Sequence, residues 1–183
     1  RPVHLIMIPR ESQETETFLI NDTTEPISGS LSYTLRSFDG SVIGREQQEI
    51  TVAPGSSIRA AMVAPPAAAE KPITPTEFHG PAAPGSYFVE AVFTAEDPRV
   101  PEPIEAVSLS AEPKRCAVQR AKVTATVKSG KDGIEVLVES DTPAFWVTLE
   151  LPDPLIRFSD NGFHLTGDTT RRIRLSEANG RDL

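Results

Sequence analysis

Apolar and polar residues alternate along several short stretches of the chain, and this alternation constrains the fold more than any other feature. Between Ile27 and Arg36 every second residue is apolar or glycine, and the residues between them are serine, threonine or arginine. A period of two predicts a half-buried β-strand. The 17 prolines and 11 glycines interrupt long helices, because proline lacks an amide donor and glycine carries an entropy cost. The sequence therefore predicts an all-β fold of short strands.

The first predicted module covers residues 1–113. Its strands are expected over residues 3–8, 17–21, 27–36, a stretch ending near 52, 58–62, 87–94 and 105–109. Asp39-Gly40 and Pro54-Gly55 supply turns, because glycine accepts positive φ and proline cannot continue a ladder. About seven strands in about 110 residues is the count of an immunoglobulin-like β-sandwich.

The second predicted module covers residues 114–183. Its alternation restarts at 121–128, Gly130 to Gly133 form a turn, and further strands are expected over 134–138, 145–151, 156–158 and 173–175. This is fewer than the seven strands of a complete immunoglobulin-type domain. The fold class is thus two immunoglobulin-like β-sandwich modules in tandem, with the completeness of the second left open. A missing strand would leave an unpaired sheet edge.

Composition excludes several classes of protein. The net charge is −8 and the pI is near 4.9, so the chain lacks the positive charge that nucleic-acid binding requires. No apolar run approaches the roughly 18 residues of a membrane span. A single cysteine, Cys116, excludes an internal disulfide framework. Because the chain starts at Arg1 without a signal core, we expect a processed or excised piece of something longer, and a secreted, periplasmic or cytoplasmic location stays open.

Residues 64–85 carry six prolines and an alanine-rich centre. Proline fixes the backbone, so this stretch is expected to be semi-rigid and extended rather than helical. Two interpretations remain open, a long loop between two strands of the first module and a partner-binding segment.

Few residues point to chemistry. His4, His79 and His164 are widely separated, and no nucleophile, phosphate-binding or metalloprotease motif occurs. Glu77 lies two residues before His79, but two ligands do not make a metal site. Cys116 follows two cations that could lower a thiol pKa, although a small buried hydrophobic residue is the favoured interpretation. We therefore predict no catalytic residue, no metal and no cofactor.

Trp146 is the one candidate binding residue. It shares parity with Thr148 and Glu150 rather than with the apolar set, which places it on the less buried face of its predicted strand. An exposed indole could stack on a sugar or pack against a neighbouring domain. A core contact on the second face is the favoured alternative.

Two segments are typical of turns. Asp160, Asn161 and Gly162 lie between two phenylalanines, so we predict a structural bend whose flanking aromatic rings are buried. Asn21-Asp22-Thr23 matches a glycosylation acceptor. A strand-ending turn is the alternative interpretation of that match.

Two groups of segments carry a resemblance. The second half contains Leu149-Glu150-Leu151, Phe158-Ser159-Asp160-Asn161-Gly162-Phe163 and Gly167-Asp168-Thr169-Thr170-Arg171-Arg172-Ile173. The first half contains Phe18-Leu19-Ile20-Asn21-Asp22-Thr23, Gly29-Ser30-Leu31 and Val52-Ala53-Pro54-Gly55-Ser56. In this order they resemble the two C-terminal immunoglobulin-like accessory domains of glycoside hydrolase family 2 β-mannosidases. Other family 2 glycosidases, of β-galactosidase-like and glucosaminidase-like type, carry comparable sandwiches.

The resemblance implies a supporting role. The catalytic glutamates of that family lie on a (β/α)8 barrel, which needs about 200 residues or more, so none is carried over to this chain. The expected function is that of a non-catalytic accessory region, whose partner is the catalytic barrel of the parent chain. The alternative is a carbohydrate-binding or adhesive immunoglobulin-like module, in which Trp146 contacts an oligosaccharide. A weaker third interpretation is a bacterial surface or chaperone-like sandwich.

Overall fold

The computed structural model describes residues 2–10, 14–63, 85–130, 133–153 and 155–177. The chain divides into two compact units, Arg1–Ala117 and Val118–Leu183. Unit 1 ends just after a short 3-10 helix, Pro113–Arg115. The proline-rich segment predicted over 64–85 lies outside the described residues except for Gly85.

Seven strands are described in unit 1. They are β1 (Val3–Pro9), β2 (Thr15–Asn21), β3 (Ile27–Ser37), β4 (Val42–Val52), β5 (Ser56–Val63), β6 (Tyr87–Ala95) and β7 (Ile104–Leu109). They form a three-stranded sheet in the order β1-β2-β5 and a four-stranded sheet in the order β4-β3-β6-β7. All of the pairings are antiparallel. The predicted strands of the first module are confirmed.

The core of unit 1 is built around β3 and β6. Burial along β3 alternates as its sequence predicts, and Leu19, Ile27, Leu31, Val52 and Phe93 have no exposed surface. Each large apolar side chain buried in this way contributes about 1.5–3 kcal/mol. The inner faces of both sheets supply one cluster, as in a sandwich.

Glycine at position 29 permits the close approach of β3 and β6. Gly29 pairs with Ala95, and a Cβ atom added at Gly29 would lie 2.3 Å from the carbonyl oxygen of Thr94 and 2.8 Å from the Cα of Ala95. Because both neighbours are backbone atoms, they cannot rotate away. The glycine is therefore required by packing and not by a turn.

Asn21 at the end of β2 is a buried structural residue. Its side-chain amide donates to the carbonyl oxygens of Glu25 (2.8 Å), Val52 (3.1 Å) and Ala53 (3.2 Å). Its Oδ1 accepts from the amide and the hydroxyl of Thr23 at 2.9 and 2.7 Å. All of its polar atoms are engaged and the side chain has no exposed surface. The structure thus shows a strand-ending turn at the Asn21-Asp22-Thr23 match, with no room for a glycan.

Six strands are described in unit 2. They are β8 (Val123–Gly130), β9 (Gly133–Ser140), β10 (Ala144–Val147), β11 (Ile156–Phe158), β12 (Phe163–Leu165) and β13 (Arg171–Glu177). One sheet has the order β11-β13-β9-β8 and the other contains β10 and β12. Buried residues from both sheets share one core, among them Val138, Phe163, Leu165 and Ile173. The fold is therefore all-β with two immunoglobulin-like sandwiches in tandem, as predicted.

Two details of the predicted second module are wrong. The strand expected over 145–151 ends at Val147, because an irregularity at Trp146 breaks its pairing. The segment after the bend was expected only to anchor it, whereas Phe163–Leu165 forms strand β12. Phe163 is buried and Phe158 packs on the same core, as expected of the two aromatic anchors.

Gly29→Ala is expected to destabilise unit 1 by about 1–3 kcal/mol, the usual cost of overpacking. Ser32→Ala introduces the same residue on the outer face of β3 and should change the free energy of unfolding by less than about 0.5 kcal/mol. Both tyrosines of the chain, Tyr33 and Tyr87, are buried in unit 1, so urea unfolding followed by tyrosine absorption reports this unit. Equal stability of the two variants would contradict the described approach of β3 and β6.

Candidate functional site

A β-bulge sets the position of Trp146. Ala144 pairs with Leu165 and Val147 pairs with Phe163, so β10 advances by one more residue than β12 over the same interval. Trp146 takes up the difference with a φ of 53°, and no other non-glycine residue in the described ranges has positive φ. Such a conformation costs of order 1–3 kcal/mol for a bulky residue. Bulges commonly re-aim a side chain, and here the indole is 55% exposed and is not a core contact.

Phe145, Trp146 and His164 form an aromatic cluster at this bulge. The ring centroids of Trp146 and His164 are 5.6 Å apart in a T-shaped arrangement, and Phe145 lies 6.0 Å from Trp146 and 5.7 Å from His164. The backbone amide of Trp146 donates to Nδ1 of His164 at 3.2 Å. These contacts hold an exposed indole in a defined orientation.

The surroundings of His164 favour its neutral form. Burial, together with the positive charge of Arg171, lowers the pKa of His164 below its ordinary value. The guanidinium of Arg171 lies 5.6 Å from the centroid of the Phe163 ring and forms an ion pair with Asp160. A neutral imidazole with Nδ1 free to accept is what the Trp146 amide requires.

The bend at Asp160, Asn161 and Gly162 supports this cluster. The side chain of Asn161 makes two hydrogen bonds to the backbone of Leu149. Its Oδ1 accepts from the Leu149 amide at 2.8 Å, and its Nδ2 donates to the Leu149 carbonyl oxygen at 2.9 Å. The amide of Gly162, at a φ of 75°, donates to the carbonyl of Val147 at 3.1 Å. The residues after β10 are thus fixed by side-chain and turn contacts instead of a longer ladder.

The remaining candidates from the sequence do not assemble into a site. His4, on β1, lies 3.4 Å from Asp22 at an exposed position, and Glu77 and His79 fall outside the described residues. Within the described residues, no group of three or more His, Cys, Asp or Glu side chains could hold a metal ion. In the same part of the chain, no helix has the length and apolar character needed to cross a membrane.

Cys116 is a partly buried thiol. Its Sγ donates to the carbonyl oxygens of Ala111 at 3.3 Å and Glu112 at 3.5 Å, and burial raises its pKa. The two preceding cations, Lys114 and Arg115, pair with the Glu112 carboxylate. The thiol is therefore not activated by its charged neighbours.

Surface depressions on unit 1 are open and shallow. One is lined by Val100, Pro101, Glu102 and Ile104. Another is lined by Ser32, Tyr33, Thr34, Arg45, Glu46 and Gln47. Neither combines a nucleophile with a base oriented towards it, so neither has the geometry of a catalytic site.

Sequence reasoning missed the partners of Trp146. In the sequence Phe145 is only the first residue of a predicted strand, His164 belongs to no motif, and Arg171 occurs only in a segment that carries the family resemblance. The sequence does contain one signal for this strand: in Phe163-His164-Leu165 a polar residue lies between two apolar residues, which is the alternation of a half-buried strand. However, the contact of His164 with Trp146 depends on the bulge, and the sequence alone does not place a bulge.

Protonation of His164 removes the acceptor of the Trp146 amide, so unit 2 is expected to lose stability as the pH falls. The folded-state pKa of His164 lies below its unfolded value of about 6.5. The contribution is therefore complete above the unfolded value and is lost as the pH drops through the folded-state pKa. Trp146 is the chain's sole tryptophan, so urea unfolding followed by its fluorescence reports unit 2.

His164→Asn retains a side-chain acceptor that does not protonate in this range. Its unfolding midpoint should depend less on pH than that of the wild type between about pH 7.5 and about pH 5. His4→Asn, which removes an exposed histidine of unit 1, should behave like the wild type. The same pH dependence in the wild type and in His164→Asn would refute the role given to His164.

Two solved enzymes have a region of the same fold. The β-D-mannosidase of Dictyoglomus thermophilum matches with a TM-score of 0.73 and 20% identity, over 96% of this chain and 19% of that enzyme. The exo-chitosanase of Amycolatopsis orientalis matches with a TM-score of 0.58 and 17% identity, over 100% of this chain and 26% of that enzyme. The chain thus spans about a fifth to a quarter of the enzymes that it resembles. No curated protein sequence matches it significantly.

Two family models match consecutive parts of the chain. The mannosidase Ig/CBM-like domain matches residues 13–108, which cover strands β2 to β6 of unit 1 and all of β7 except its last residue. An Ig-fold domain of the mannosidase type matches residues 118–182, which correspond to unit 2. The first match alone covers more than half of the chain, and the suspected resemblance is confirmed. The chain therefore belongs to the mannosidase Ig/CBM-like domain family, with an Ig-fold domain of the mannosidase type following in tandem.

Proposed function

We propose that the chain is the non-catalytic accessory region of a β-mannosidase-like glycoside hydrolase, and that it packs on and supports a catalytic barrel outside these 183 residues. The observation that carries the proposal is the tandem family match over residues 13–108 and 118–182. Together the two matched domains occupy most of the chain. A (β/α)8 barrel of about 200 residues or more has no place beside them.

The structure of the two units suits a supporting role. Each unit has its own buried core, so each can present side chains on a rigid frame. Such a role requires no acid-base or redox chemistry. The solved enzymes that share the fold devote about a fifth to a quarter of their length to it. The rest of such a polypeptide is the partner that we propose for this chain.

The purified chain is expected not to hydrolyse an aryl β-mannoside, because the barrel that carries the catalytic glutamates in the resembled family is too long to fit beside the two matched domains. The assay compares native chain with heat-unfolded chain at equal concentration, and it follows activity through successive purification steps. Hydrolysis that co-purifies with the native chain and is absent after unfolding would contradict the proposal.

A second candidate function is carbohydrate binding at the aromatic cluster. The exposed indole of Trp146 is held by the bulge and by the Trp146 amide bond to His164, and an immobilised aromatic face is suited to stacking on a sugar ring. This function is compatible with the first, because an accessory region can also retain an oligosaccharide near a catalytic domain. In this candidate function Trp146 is the residue that contacts the sugar.

Titration with mannan oligosaccharides should quench the Trp146 fluorescence saturably if the cluster binds sugar. Trp146→Ala leaves no tryptophan to observe, so calorimetry is used for the variants. Trp146→Ala should weaken oligosaccharide binding about tenfold relative to the wild type, because it removes about 1.4 kcal/mol of stacking free energy. Leu155→Ala removes an exposed apolar side chain of unit 2 outside the cluster and should bind like the wild type. The absence of both quenching and heat would exclude this second function.

A further inference from the structure

Strand β8 is an edge strand that is exposed on both faces. All eight of its residues, Val123–Gly130, are exposed, and β9 alone pairs with it among the described strands. Its second backbone edge therefore has no neighbouring strand in the part of the chain that the structure describes. Protein sheets usually cover, shorten or bend such an edge.

An apolar row on β8 continues the inner face of its sheet. Ala125 lies opposite Val138 and Val127 lies opposite Val136, and residues directly opposite in an antiparallel pair point to the same face. Val136 and Val138 are buried in the core of unit 2. Val127, by contrast, is 64% exposed and Val123 is 42% exposed. The described residues therefore leave Val123 and Val127, at this end of the core-facing row, largely uncovered.

The surroundings of this row are positively charged. Residues 113–131 contain six lysines and arginines and no Asp or Glu, in a chain whose net charge is −8. In the described part of unit 2 the cations of this run are Arg120 and Lys122 before the strand and Lys128 in it, and Lys128 lies opposite Glu135 of β9. Charge complementarity therefore favours an acidic partner.

We propose that β8 is an interface strand that receives an extended, acidic segment of the parent enzyme from outside this chain. The segment adds to the free edge of β8 through backbone hydrogen bonds, the mode of strand addition used in many complexes. Its apolar residues cover Val123 and Val127, and its carboxylates face Arg120, Lys122 and Lys128. This inference rests on the proposed function, because it takes the remainder of the parent polypeptide as the partner.

A second copy of the chain fits this edge less well. Antiparallel pairing of two β8 strands about Ala125 would place Lys122 of one copy opposite Lys128 of the other. Like charges directly opposite in a sheet are unfavourable. Lysine on an edge also protects against self-association, but it does not account for two exposed valines in a core-facing row.

Hydrogen exchange of the β8 amides tests the proposal directly. In the parent enzyme the β8 amides that point away from β9 should exchange about tenfold more slowly, or slower still, than in the isolated 183-residue chain, because each of them must open against a new hydrogen bond. Equal rates in the two proteins would overturn the proposal. Protection that instead develops in the isolated chain with rising concentration would assign the edge to a second copy and would also overturn it.

A pair of variants separates the apolar row from the opposite face. Val127→Glu should lower the thermal midpoint of the parent enzyme and leave that of the isolated chain unchanged, since Val127 is mostly exposed there. Thr126→Gln places an uncharged polar side chain on the opposite face, where it does not repel the carboxylates of the partner, and should affect neither protein. A loss of stability in both proteins for Val127→Glu would make Val127 part of the chain's own core and would refute the interface.

The outcomes distinguish this inference from the proposed function. A parent enzyme with a catalytic domain whose β8 amides exchange freely overturns the interface strand and leaves the accessory role intact. A natural polypeptide with no catalytic domain removes the accessory role and the interface together.

Discussion

Both units depend on strands that bury one face and leave the other to solvent. In unit 1 this constraint is strongest at β3, which pairs with β4 and β6 and whose burial alternates from Ile27 to Leu35. Gly29 lets β6 approach at a point where any larger residue would meet backbone. The sandwich forms because two such one-sided sheets share their apolar faces, and this burial is the dominant favourable term in folding.

Two departures from this rule leave apolar side chains on the surface of unit 2. At Trp146 a bulge interrupts the alternation and turns an indole outwards. On β8 the alternation is intact, but the described residues do not cover the core-facing row. Strained or uncovered positions are retained when they serve a function. A supporting region that docks on another domain and displays one aromatic platform would account for both.

Periodicity was sufficient to predict the fold class, because burial along β3 alternates over the nine residues from Ile27 to Leu35. It also placed Trp146 opposite to the apolar set. It could not predict the early end of β10, since a bulge depends on cross-strand register. Nor could it predict that Asn21 is buried, because the carbonyl of Val52, one of its acceptors, lies 31 residues away in the chain. Local pattern determines which face a residue occupies, whereas long-range pairing determines what it touches.

The central claim is that these residues stabilise a reaction centre that lies elsewhere in a longer polypeptide. The most direct measurement compares the parent enzyme with a form from which the 183 residues have been removed, recording kcat at low temperature together with the temperature of half-inactivation. The account predicts that inactivation moves to a lower temperature while kcat on an aryl β-mannoside is retained in the cold. Loss of kcat in a truncated enzyme that keeps its thermal stability would show that the removed residues take part in the chemistry, and would contradict the account.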